Sequence, residues 1–234
     1  MTNGPISETE NTPTCVGVIM DGNRRWAKER GLTPFLGHTE GYKKFKEFIG
    51  WAKEQGVKYV IAYAFSTENW KRSKDEIDHL MGLLRNVLDN ELAELKKEGV
   101  RLRFIGETEK FPNDIVEKLK NIEEETVSLS EIEVLVALSY GGRSEIISAI
   151  KKCTPEEIKD LNEKNFSQHL FTKNIPDPDL VIRTGGEVRL SNFLLWQSAY
   201  SELFFSPTYW PDLSKEEFFE ILGRFSFRER RIGK

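Results

Sequence analysis

The chain is predicted to be a single α/β domain, a mainly parallel central sheet with helices on both faces. Three observations predict it. Short apolar runs alternate along the whole length with longer runs of helical period, the pattern of strand–helix–strand units. Residues 132–139 are apolar almost without a break, as expected of a strand covered on both faces. The 234 residues contain no repeat, no low-complexity stretch and no linker-like segment, so one core is the economical architecture.

The elements follow in order. Cys15-Val16-Gly17-Val18-Ile19-Met20 reads as a short buried strand. Asp21-Gly22-Asn23 breaks it with turn chemistry, and a helix opens at Arg24 and ends near Arg30. Residues 31–38 read as a loop bracketed by Gly31 and Gly37. A helix over 39–55 places Phe45, Phe48, Ile49 and Ala52 at helical spacing, and Gly56 stops it. Residues 57–65 form the second strand, ending in the polar cluster Ser66-Thr67-Glu68-Asn69-Trp70-Lys71-Arg72. Ser73-Lys74-Asp75-Glu76 has the capping-box pattern. It opens a long helix, 74–98, with one continuous apolar face that includes Leu80, Met81, Leu84 and Leu88. Gly99 suits its C-cap.

A strand at 100–105, a helix at 113–127 and the strand at 132–139 come next. Tyr140-Gly141-Gly142-Arg143 turns into a helix reaching Lys152, and Pro155 starts a short one. Residues 160–178 look irregular, with a short helix near Phe166. Strands at 180–182 and 201–205 follow. The last helix is capped by Ser214 and buries Phe218, Phe219, Leu222 and Phe225. Residues 1–14 are polar and are expected to form a flexible tail; 15–234 are expected to form the domain.

Composition excludes several classes. The net charge of −4 argues against nucleic acid as a partner. No apolar run approaches membrane-spanning length, and residues 1–14 lack the regions of a signal peptide. The two cysteines, Cys15 and Cys153, and the histidines His38, His79 and His169 form no metal spacing. A reduced, cytoplasmic setting is expected.

Chemistry in such folds gathers at the carboxyl ends of strands. Four polar clusters fall there: residues 21–25, 66–72, 140–143 and 183–191. Each mixes arginine with small residues or hydroxyls, the groups that grip phosphate. The first sits where a strand hands over to a helix N-terminus, which favours anions. Taken alone, Asp21-Gly22-Asn23 is equally a plain turn with solvent-facing arginines. Asp21 belongs beside a phosphate only if a cation such as Mg²⁺ joins them. Several arginines at one edge exceed what one phosphate needs; two diphosphates would use them. Neither a Ser-His-Asp set nor a nucleotide-binding glycine loop is present. The apolar stripe of the long helix reads by itself as core. Beside a phosphate-gripping rim it would wall a hydrophobic cleft or tunnel.

The ordered motifs Met20-Asp21-Gly22-Asn23-Arg24-Arg25-Trp26-Ala27, Gly37-His38, Tyr63-Ala64-Phe65-Ser66-Thr67-Glu68-Asn69-Trp70, Tyr140-Gly141-Gly142-Arg143 and Asp179-Leu180-Val181-Ile182-Arg183-Thr184-Gly185-Gly186-Glu187 resemble those of the cis-prenyltransferases, the undecaprenyl diphosphate synthase family. The likeness spans residues 16–231. It implies a Mg²⁺-dependent isoprenyl transferase that condenses isopentenyl diphosphate onto an allylic diphosphate of farnesyl or geranylgeranyl type, giving a long-chain polyprenyl diphosphate. Relatives of the same fold also include non-catalytic partner subunits, but these typically lack the motif residues.

By the resemblance, Asp21 would hold Mg²⁺ with help from Glu202. Gly22, Asn23, Arg24 and Arg25 would cradle the allylic diphosphate, with Trp26 and His38 beside it. Ser66, Thr67, Glu68, Asn69, Trp70 and Arg72 would shape the reacting centre, with Asn69 the usual candidate for proton removal. Arg183, Arg189, Leu190 and Ser191 would hold isopentenyl diphosphate. A homodimer is implied, with the C-terminal tail near the partner's site, and a lipid product implies peripheral contact with a membrane. The chain departs from the pattern at Pro34, where an arginine is frequent, at Val188, where some members carry histidine, and at Ser139, where asparagine is common.

Overall fold

The computed structural model describes residues 12–227, apart from residue 91 and the side chains at 92 and 93. Most of the expected N-terminal tail, residues 1–11, and the tail 228–234 lie outside the described residues. Six strands form one sheet: β1 (Cys15–Ile19), β2 (Tyr59–Ser66), β3 (Val100–Ile105), β4 (Ile132–Tyr140), β5 (Leu180–Arg183) and β6 (Glu202–Phe205). The spatial order is β3-β4-β2-β1-β5-β6, and every pairing is parallel. The single-domain parallel α/β expectation is therefore met.

Burial on both faces explains the apolar strands. Along β1, Val16 and Val18 point into one core while Cys15 and Ile19 point into the other, the period of two that a pleated strand imposes. The first core is covered by α2 (Pro34–Glu54), α3 (Lys74–Asn90), α5 (Asn113–Thr126) and α9 (Lys215–Ser226). The second packs Tyr140, Phe193 and Leu194 on the opposite face. In the chain, α6 (Gly142–Lys152), α7 (Pro155–Lys159) and α8 (Glu163–Phe166) follow β4. The edge strand β3 is protected: the N–H groups of Leu102 and Phe104 donate to Thr126 Oγ1 and Glu123 Oε1 of α5. Capped donors of this kind blunt an edge.

One expectation changes. The loop expected over 31–38 is mostly helix, because α2 begins at Pro34. Proline is favoured at a first helical position, where its missing N–H costs nothing. The helix expected over 74–98 is described as α3 and as α4 (Leu92–Lys97), helical up to residue 90 and again from residue 92.

The topology places the site. The chain leaves β1 towards β2 on one side, and leaves β5 towards β6 on the other. Adjacent strands whose connections depart in opposite directions open a crevice at their carboxyl ends. Here that crevice lies between residues 20–25 and 184–191.

Candidate active site

Gly22 turns the chain out of β1 with φ +111°, and a side chain there would meet Tyr209 at 2.7 Å. The turn delivers α1 (Asn23–Glu29), which has no side-chain cap. Its first-turn N–H groups therefore lack a side-chain acceptor, as helix geometry predicts. Alongside, α2 approaches so closely that a Cβ on Gly37 would lie 2.1 Å from the Asn23 carbonyl oxygen.

Asp21 faces arginines. Arg183 Nη2 donates to Asp21 Oδ2 at 2.8 Å, and Arg25 Nη2 lies 3.2 Å from Oδ1. Because β5 extends one residue beyond the predicted 180–182, Arg183 lies within the strand and is 4% exposed. Its other nitrogen donates to the Arg189 carbonyl at 2.6 Å and to Ser191 Oγ at 2.7 Å. Glu187 pairs with both Arg25, at 3.7 Å, and Arg189. Asp21, Arg25, Glu187 and Arg189 belong to the wall of a polar cavity of about 620 Å³, which residues 20–25, His38 and Arg72 also line. Pro34 also lies in its wall.

A second cavity, of about 190 Å³, lies between the sheet and helices α2 and α3. Its lining is mostly apolar, including Phe45, Ile49, Leu80, Leu84 and Leu88. Met20, Asn23 and His38 line both cavities. A cationic chamber and a hydrophobic one thus share a wall. Asn23 Oδ1, His38 Nε2 and Arg183 Nε are buried polar atoms without a protein partner. Such orphans are rare in folded proteins and point to a ligand. Burial, then Arg72, pushes the His38 imidazole down to about 4 despite Glu76 at 3.9 Å. His38 is therefore uncharged at neutral pH, and its contact with Glu76 is not an ion pair.

The turn after β2 forms a supporting shelf. Asn69 Oδ1 accepts the Ser66 N–H at 3.0 Å, closing a capping box. Trp70 donates to Ser139 Oγ at 2.9 Å and packs on Phe65 and Phe111. Glu68 accepts from Thr67 at 3.2 Å and from Asn192 Nδ2 at 3.2 Å. Asn192 also takes the N–H groups of Gly142 and Arg143, joining this turn to the start of α6. Leu190 packs against the second core.

Two expected residues lie elsewhere. Trp26 donates to Asp212 at 2.6 Å beneath the Arg30 guanidinium, so it clamps α1 to the 209–212 turn and does not line the polar cavity. Glu202, expected beside Asp21, opens β6 level with Leu180 and hence with Val16. Asp21 lies five residues beyond Val16, roughly 15 Å further along the strand direction. Parallel register therefore keeps the two carboxylates of one chain apart. Among the described residues no three Asp, Glu, His or Cys side chains cluster as a metal site. Sequence reasoning missed Glu76, which it assigned to a helix cap, and the bridging role of Asn192, whose left-handed φ of 66° only the structure shows.

A family model described as "Putative undecaprenyl diphosphate synthase" matches residues 19–233. The chain belongs to the undecaprenyl diphosphate synthase family. An isoprenyl transferase from Thermotoga maritima is 45% identical over 94% of this chain and 97% of its own length. A tritrans,polycis-undecaprenyl-diphosphate synthase (geranylgeranyl-diphosphate specific) from Pyrococcus furiosus is 44% identical, covering 95% of this chain and 87% of its own. The structure of lavandulyl diphosphate synthase from Lavandula x intermedia, in complex with dimethylallyl diphosphate, superposes with a TM-score of 0.91. It is 33% identical and covers 95% of this chain and 99% of that one.

Proposed function

We propose that this family member is an isoprenyl transferase: it joins isopentenyl diphosphate to an allylic prenyl diphosphate and forms a cis double bond. The observation that carries the reading is the wall shared by the arginine-lined cavity and the apolar one. A prenyl diphosphate has these two halves, a highly charged head and a hydrocarbon tail. The reading of a non-catalytic partner subunit is disfavoured, since Asp21, Asn69, Arg183 and Arg189 are all present.

In the reaction the allylic carbon–oxygen bond breaks and its electron pair leaves with the diphosphate. The isopentenyl double bond supplies the electrons of the new carbon–carbon bond, and a proton then leaves the adjacent carbon. Arg24, Arg25, Arg72, neutral His38 and the first turn of α1 would hold the allylic diphosphate. Arg183, Arg189 and Ser191 would hold the isopentenyl diphosphate. The first set meets the negative charge that develops on the departing diphosphate with pre-positioned donors; the second holds a diphosphate that stays attached to carbon and so aligns the attacking double bond. The carboxylate of Asp21 among arginines fits Mg²⁺, which is commonly held by one or two carboxylates together with substrate phosphates. When bound, Mg²⁺ stabilises charge on the leaving diphosphate. The carboxamide of Asn69 is not basic, and its oxygen already accepts the Ser66 N–H. Asn69 therefore holds the turn, and the proton goes to a diphosphate oxygen or to water. The apolar cavity beside α3 would receive the growing chain as a tunnel and keep water away from the cationic intermediate.

A homodimer completes the reading. Tyr200, Leu203 and Phe227 are exposed on and around the edge strand β6 and the end of α9. A second copy on that surface would bring Glu202 near a metal site other than its own chain's. Among the described residues no helix is long and apolar enough to cross a membrane. A cytoplasmic enzyme touching the membrane surface to deliver its lipid suits the free cysteines.

The decisive experiment incubates the protein with isopentenyl diphosphate, a set of allylic diphosphates and Mg²⁺, with lipid mass spectrometry as readout. Elongated product is expected; none from any primer would sink the reading. Asp21→Asn keeps the shape that Arg183 needs yet removes the charge. It should lower turnover by roughly 10²-fold or more with little change in melting temperature. Near-parental turnover would reduce Asp21 to a turn residue.

A further inference from the structure

The segment that follows β6 reaches both halves of the crevice. The Gly185 N–H donates to the Thr208 carbonyl at 2.7 Å, and the Trp210 N–H donates to the Asp21 carbonyl at 3.0 Å. Residue 209 thus sits between a bond to the loop after β5 and a bond to the corner after β1. Trp210 anchors the segment: it is fully buried, and its indole donates to the Gly41 carbonyl at 2.7 Å.

Tyr209, held at that point, meets the corner with its whole side chain. Its ring packs so closely on Gly22 that a Cβ there would lie 2.7 Å from Tyr209 Cδ1. Its hydroxyl donates to Glu29 Oε1, at the end of α1, at 2.5 Å. The Arg25 guanidinium carbon stands 5.3 Å from the ring centroid, within cation–π range. Gly185 makes room for the same guanidinium: its φ is +86°, and a Cβ on it would lie 2.7 Å from Arg25 Nη2. Asp21 and Glu187 face the guanidinium nitrogens at 3.2 and 3.7 Å. The Arg25 side chain is 40% exposed, and an arginine that open ordinarily samples many rotamers. Here a ring, a glycine and two carboxylates confine it. Arg25 lines the polar cavity, whereas Tyr209 stands behind it.

We propose that Tyr209 is a positioning residue for the diphosphate head: its ring face holds the Arg25 guanidinium in the direction in which it meets phosphate oxygens. A ring does this in a way a third carboxylate could not. A π face attracts the cation through its plane and leaves the N–H edge free to donate. A carboxylate would occupy the donors that phosphate needs. Because Tyr209 is fixed between Thr208 and Trp210, the aim of an α1 side chain is set by the chain beyond β6.

The proposal rests on the diphosphate reading of the polar cavity. Its test measures binding of inorganic pyrophosphate with Mg²⁺ by calorimetry on the full chain, beside steady-state kinetics. Tyr209→Leu should weaken pyrophosphate binding roughly two- to fivefold, the worth of one cation–π contact at a partly exposed site. It should raise KM for the allylic substrate by a similar factor, with a smaller change in kcat. Tyr209→Phe keeps the ring face and should keep the parental affinity. On an Arg25→Met background Tyr209→Leu should cost nothing further, because the group it positions is gone. Tyr209→Met takes the same place in the cycle if Tyr209→Leu melts low. Equal losses with and without Arg25 would make Tyr209 a prop of the Gly22 turn alone and overturn the proposal. So would parental binding by Tyr209→Leu, or a Tyr209→Phe that binds as weakly as Tyr209→Leu. A parent that binds no pyrophosphate overturns the diphosphate reading, and the positioning role with it.

Discussion

His38 shows how burial sets chemistry at a single position. Its pKa is pushed from the usual 6.5 to about 4, chiefly by burial and then by Arg72. The unfolded chain therefore takes up a proton near pH 6.5 that the folded chain refuses until about pH 4. Where the unfolded state binds more protons, stability rises with pH. The contribution is complete above the unfolded value and is lost as pH falls from about 6.5 to about 4. Urea unfolding at pH 7 and pH 5 should show the parent losing roughly 1–2 kcal/mol more than His38→Asn. Equal losses would mean that His38 titrates as freely folded as unfolded. The same residue illustrates what a lone sequence conveys. His38 was legible as a site residue from the Gly37-His38 motif, but its neutral state follows from helices that are distant in sequence. Asp21 and Arg183 were likewise legible as residues; their 2.8 Å contact depends on β1 and β5 lying side by side.

Helix α2 owes its position to what it lacks. A Cβ on Gly37 would lie 2.1 Å from Asn23 O, and one on Gly41 would lie 2.4 Å from Asn23 Oδ1. These two glycines, four apart on one helix face, let α2 seat the residue that lines both cavities. Gly37→Ala should destabilise by about 1–3 kcal/mol through overpacking against backbone. Gly82 in α3 has open space around its ideal Cβ, so Gly82→Ala should stabilise by up to about 1 kcal/mol through helix propensity. Thermal unfolding of the pair checks both signs; a harmless Gly37→Ala would refute the close approach. The start of α2 at Pro34 was written in the sequence as a proline at a first helical position. Gly31 and Gly37 drew the reading towards a loop instead, although Gly37 is a packing glycine within the helix.

At the scale of the whole molecule, one edge of the sheet is left apolar and exposed. Its sheet ends in β6, where Leu203 is 39% and nearby Tyr200 75% exposed. Glu202 on this strand is remote from Asp21 of its own chain. If a second copy covers this edge, Leu203→Glu should shift sedimentation from dimer to monomer. Turnover should fall with it, because each site would lose what the partner supplies. A monomeric parent, or a dimeric and fully active variant, would place the interface elsewhere.

The alternation of strands and helices, the four clusters at strand ends and the identity of nearly every arginine in the site could be read from the chain, because they depend on local spacing and short-range turn chemistry. The pairing of Arg183 with Asp21 and of Arg25 with Glu187 could not. It arises from the β3-β4-β2-β1-β5-β6 order, which sets segments more than a hundred residues apart against each other at the exits of β1 and β5. Glu202 marks the same boundary from the other side. The family resemblance put it in the site, but parallel register carries it to the far end of the strands, since side chains meet through the alignment of backbones and not through their order in the sequence.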